Sequence, residues 1–158
     1  KNPCQLGLAN LVRPLQLGAA MAGSPELSDA LAAHGMPLGI AFQLRDDMLG
    51  AFGDSAKTGK PVGDDLREGK PTVMLALARE AASASQFSVL DRVGPSATDA
   101  DVAAIQQVMI DTGAVGKIGE EIERLLDEAL QAIDALPNAN GSRAALRALA
   151  DFVVDRDT

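Results

Sequence analysis

The sequence predicts an all-α protein, a bundle of helices packed on helices. Three observations carry that prediction. Hydrophobic residues make up 47% of the chain but aromatics only 3%, with Ala and Leu dominant, and the alternating β-branched runs that a sheet requires are scarce. Apolar residues recur at three and four spacing, most clearly at Val115, Ile118, Ile122, Leu125, Leu126, Ala129, Leu130 and Ile133. Breakers and caps separate the helical runs, at Gly23-Ser24-Pro25, Thr98, Gly113 and Pro137 to Gly141. Nothing marks a repeat or a second domain, so residues 1–158 read as a single all-helical segment.

Taken in order, Leu6 to Ala22 predicts a helix kinked or restarted at Pro14. Ser24 as N-cap, Pro25 at the first helical position and Glu26 in the first turn predict a helix to about His34. His34 then reads as a helix C-terminal residue that favours the dipole, and Gly35 as a break or bend before the next helix. A central helix follows over roughly Pro37 to Phe52, then a long loop from Gly53 to Gly69 and a helix over Pro71 to Ala84. Gln86 to Gly94 suggests a short helical turn. Thr98, with Asp99 and Asp101, caps a helix that ends near Thr112-Gly113. The amphipathic helix spans Ala114 to Leu136, and Ser142 caps a final one over Arg143 to Val154.

Charge and composition narrow the partners. A formal net charge of −8 argues against nucleic acid or an anionic membrane as a general partner. No stretch reaches the roughly 20 apolar residues of a membrane span. One cysteine, Cys4, excludes an internal disulfide framework and fits a reducing compartment, so a cytoplasmic location is expected. Neither Cys4 nor the lone His34 has partners for a zinc site. The start, KNPCQLGLANLVRP, has no initiator Met and no charged-then-apolar signal pattern, and reads as the middle of a longer chain.

The chemistry is concentrated between Gly39 and Thr72, GIAFQLRDDMLGAFGDSAKTGKPVGDDLREGKPT. On an ideal helix Asp46, Asp47, Gly50 and Asp54 all fall within about 60° of Gln43, while Phe42, Leu44, Met48, Leu49 and Phe52 collect on the other side. A loop with Lys57, Lys60, Arg67 and Lys70 follows at once. Alone, the Asp46-Asp47 pair is an ordinary solvated face. Its company points further, because neighbouring carboxylates that lean toward burial repel and need a counter-charge. An all-oxygen donor set suits Mg2+, held by one or two carboxylates and completed by water and phosphate. Lys60 and Lys70 supply charges that can meet the same phosphate from the opposite side.

Those residues resemble a known family. FQLRDDMLGAFGD followed by TGKPVGDDLREGK looks like the second aspartate-rich region of the trans-prenyltransferases, the farnesyl, geranylgeranyl and longer polyprenyl diphosphate synthases. RPLQLGAAMAG before it, KPTVMLALA after it and the closing RAALRALADFVVDR extend the likeness over most of the chain from Arg13. The resemblance implies the C-terminal half of the isoprenoid synthase fold. It also implies an enzyme that ionises an allylic diphosphate and adds isopentenyl diphosphate to the cation.

Carried over residue by residue, the resemblance makes Asp46 and Asp47 ligands of Mg2+ bridging to the allylic diphosphate. Gln43 would contact the allylic substrate, Lys60 and Lys70 would hold its diphosphate, and Asp65 would support the lysines or metal-bound water. A homodimer is implied as well. The chain departs from the family pattern in three places. Gly50 replaces the third aspartate of DDxxD, with Asp54 one turn on suggested as its substitute. The family's Lys-Thr pair falls on Gln5 and Leu6, and no first DDxxD motif precedes Gly39. A noncatalytic helical subunit, or a degenerate homologue, that partners an active synthase is therefore the alternative reading.

Overall fold

A computed structural model of the chain describes residues 11–53, 61–136 and 140–154, and every regular element among them is helical. The helices are α1 (Arg13–Met21), α2 (Ser28–Phe52), α3 (Asp64–Arg67), α4 (Val73–Ala81), α5 (Ala84–Leu90), α6 (Asp99–Asp111), α7 (Ala114–Asp134) and α8 (Asn140–Val154). They divide into two compact units. The described residues up to Arg45, with those from Glu121 onward, form the first; Asp46–Glu120 form the second.

In the first unit Pro14 lies in the opening turn of α1, where a missing N–H breaks no helical bond. Gly23, at φ 73°, turns the chain into a 3-10 turn over Pro25–Leu27, and α2 then runs unbroken through Gly35 and Pro37. The expected break at Gly35 and fresh start at Pro37 are thus corrected. Gly35 serves packing instead: a Cβ there would stand 3.3 Å from the Cα of Val12 and 3.2 Å from Leu15 Cδ1. An interior proline costs about 3 kcal/mol, and burial of the neighbouring Leu38 and Ala41 opposes that cost.

His34 is corrected with the helix, since it lies inside α2 and is completely buried. Its Nδ1 lies 3.0 Å from the carbonyl oxygen of Ala129. Leu38 packs with Ala129 and Ala150, joined by Leu11, Phe42, Leu126 and Leu130. A second cluster joins Ala19, Leu31 and Leu136. Helix α8 begins at Asn140, so Ser142 is a first-turn residue rather than the cap. Arg143 donates to the Leu136 carbonyl at 2.6 Å and Arg147 to Asp134 at 2.6 Å, tying α8 to the chain before it.

The second unit is built from short, capped helices. The side-chain oxygen of Thr72 accepts from Leu75 N at 3.2 Å and starts α4. That helix stops at Ala81 rather than Ala84, because Ser83 and Gln86 form a reciprocal capping box that starts α5. Thr98 and Asp101 form the same box on α6, which ends before Gly113 at φ 74°, as the sequence predicts. Leu66, Met74, Leu75, Ala78, Leu90, Val102, Ile105 and Met109 are among the buried residues of this unit.

Candidate functional site

Within the second unit, a side-chain hydrogen bond caps the end of α2. Its last carbonyls have no helical partner, and Gln106 Nε2 donates to the one on Ala51 at 2.6 Å. Along this stretch Leu44 and Ala51 are buried, and so is Asp47 at 6% exposure, whereas Asp46 is exposed. The acidic stripe of the sequence is therefore split between two environments. A helix turns by about 100° per residue, enough to send two adjacent carboxylates to different surroundings. Gln43, one turn earlier, is half-buried.

What faces Asp47 is the turn from Gly63 to Lys70. Gly63 and Gly69 adopt positive φ, 72° and 70°, which only glycine takes without strain. Between them α3 makes one tight turn, with Leu66 N and Arg67 N each donating to Gly63 O at 3.1 Å and Lys70 N to Asp65 O at 3.0 Å. Leu66 is buried. Arg67 locks the turn in place, donating to the Ala97 carbonyl at 2.7 Å and to Asp99 at 2.6 Å. Arg67 and Asp99 are thus committed to structure, a role that their place in a charged loop and at a helix N-terminus did not reveal.

The turn delivers one ammonium group to two carboxylates. Lys70 Nζ lies 2.7 Å from Asp65 Oδ2 and 3.0 Å from Asp47 Oδ1. Burial opposes the lysine's charge, but hydrogen bonds to Asp65 and Asp47 outweigh it and raise its pKa above the ordinary lysine value. Lys70 is a permanent cation here, and Asp65, only 8% exposed, is its closer partner.

Of the residues singled out in the sequence, Asp47, Asp65 and Lys70 come together, and Asp46 sits beside them in the chain, open to solvent. Asp54 and Lys60 lie outside the described residues. Gly50 also belongs to the cluster, because a Cβ there would run into the Asp65 carboxylate. Its only sequence signal was a glycine where the motif carries an acid. Among the described residues no three His, Cys, Asp or Glu side chains are grouped closely enough to hold a metal ion. The donor set still fits a hard cation that takes one or two carboxylates and fills its shell with water and phosphate, which is how Mg2+ is commonly bound. No helix among the described residues is long and apolar enough to cross a membrane.

Comparison with known proteins gives a consistent picture. The polyprenyl synthetase family profile matches residues 8–111. Over 143 residues the chain is 34% identical to a geranylfarnesyl diphosphate synthase of Aeropyrum pernix, covering 89% of this chain and 44% of the relative. Over 145 residues it is 37% identical to heptaprenyl diphosphate synthase component 2 of Geobacillus stearothermophilus, covering 90% and 44%. Its fold superposes with a TM-score of 0.89 on a geranylgeranyl pyrophosphate synthase of Corynebacterium glutamicum, solved with isoprenyl diphosphate and magnesium. That pair shares 44% identity over 95% of this chain and 43% of the solved one. The chain thus spans less than half the length of these relatives.

Proposed function

This chain belongs to the polyprenyl synthetase family, and from that premise we propose that it forms the diphosphate-gripping part of a trans-prenyltransferase that joins isopentenyl diphosphate to an allylic diphosphate. The observation that carries this reading is the convergence of Asp47, Asp65 and Lys70. A lysine held between two shielded carboxylates is placed in advance for a polyanion that arrives with its own counter-cation. In this reading Asp46 and Asp47, with Asp54 beyond them, hold Mg2+. When bound, the ion supplies the positive charge that makes the diphosphate a good leaving group.

The chain's own residues do the rest. Lys70 donates to the diphosphate oxygens, alongside Lys60, and keeps its charge because Asp65 remains at its back. Gln43 orients the allylic substrate from one turn before the acidic pair. The aliphatic residues of the same helix keep water from the carbon that becomes electron-poor. A homodimer and a cytoplasmic location belong to the same proposal.

The test is an elongation assay on the complete gene product, of which this chain is a part, with labelled isopentenyl diphosphate, an allylic diphosphate and Mg2+. Longer labelled prenyl products are expected, and their loss on chelation of the metal. No elongation with any allylic acceptor sinks the proposal. The name of the Geobacillus relative, a component of its synthase, favours one further reading: a helical subunit of a multi-component enzyme. It predicts elongation only after a second gene product is added.

A further inference from the structure

We propose that Gly50 and Asp65 act as one unit: Asp65 presents its carboxylate in the space that a side chain at position 50 would fill, so the negative charge that helix α2 lacks at that position is supplied from the α3 turn. The inference rests on the diphosphate-site reading above and deepens it. A Cβ on Gly50 would overlap Cγ and Oδ2 of Asp65 and stand 2.9 Å from its Oδ1. No backbone requirement explains the glycine. It lies inside a regular helix and is absent from the positive-φ residues, where glycine is about 1 kcal/mol worse than alanine. Space for Asp65 does explain it.

Nor can the Asp65 carboxylate swing aside at small cost. Its Oδ2 accepts from Lys70 Nζ at 2.7 Å, and its backbone oxygen accepts from Lys70 N at 3.0 Å. The adjoining Leu66 is buried and Arg67 is clamped to Ala97 and Asp99. An aspartate at position 50 and Asp65 in this orientation exclude each other, first by overlap and then by like-charge repulsion. Asp65 is accordingly a positioning residue. With Asp47 it holds the Lys70 ammonium from two sides, and it adds the negative charge that Gly50 lacks.

The experiment is a double-mutant cycle on the gene product, read by calorimetric titration with Mg2+ and inorganic pyrophosphate, with thermal midpoints and far-UV circular dichroism to follow the fold. In the wild-type background Gly50→Ala and Gly50→Asp should each weaken pyrophosphate binding by about 10-fold, within the coupling range of contacting residues. In the Asp65→Gly background neither should weaken it further, and Gly50→Asp should regain part of what Asp65→Gly lost. Strictly additive effects overturn the inference, as does tighter binding by Gly50→Asp with Asp65 present. Should Gly50→Asp fail to fold, a double variant as stable as its Asp65→Gly parent supports the coupling, and one that also fails to fold overturns it. Absence of any Mg2+-pyrophosphate binding by the wild type removes both the inference and the site reading beneath it; wild-type binding with additive variants removes the inference alone.

Discussion

Lys70, half-buried, and His34, fully buried, show two opposite ways in which this chain handles a polar group withdrawn from water. Lys70 keeps its charge because two carboxylates meet it. His34 has only the Ala129 carbonyl for Nδ1, and among the described residues its Nε2 has no partner. Burial lowers its pKa below the ordinary 6.5, and the Ala129 hydrogen bond only partly restores it. The sign of the pH effect follows. Below its ordinary pKa the unfolded chain binds a proton at His34 that the folded chain resists, so stability is complete above about 6.5 and falls as the pH drops toward the lowered value. Thermal midpoints measured across that range should decline with acid, and His34→Asn should flatten the portion of the slope that begins near pH 6.5. An unchanged slope in the variant would show that other groups carry the decline.

At the scale of elements, the second unit depends on caps because its helices are short. Isolated helices of such length are marginal in water, so each terminus matters. Thr72 is the cap nearest the candidate site, two residues beyond Lys70, and its hydroxyl oxygen accepts from Leu75 N in a buried setting. Thr72→Ala should cost about 1 kcal/mol and speed amide exchange in the first turn of α4, both measurable without substrate. Two of the departures from the sequence reading have plain physical causes. The Ser83–Gln86 box was hidden in an alanine-rich run whose propensity favours one continuous helix. The break expected at Gly35 disappears because a glycine that breaks an isolated helix can also admit a neighbouring backbone, as Val12 does here.

For the whole molecule, the governing fact is that the chain spans less than half of relatives such as the Aeropyrum pernix synthase and carries one aspartate-rich motif where the family pattern has two. The 158-residue chain assayed by itself with Mg2+, isopentenyl diphosphate and an allylic diphosphate should give no elongated product on solvent extraction. Measurable turnover would mean that one acidic motif suffices. The sequence by itself determined the all-helical class, the main helices and the stretch where acidic and basic residues concentrate, because periodicity, caps and the DD and GK spacings are local properties. Only the tertiary structure decided which charges meet. Asp46 and Asp47 are neighbours in the chain yet differ in exposure, and Arg67 is drawn to Asp99 while Lys70 turns to Asp47 and Asp65. Gly50, which in the sequence looks like a missing ligand, becomes in three dimensions the space occupied by Asp65. Such pairings depend on two segments folding against each other, and no spacing along a single segment encodes them.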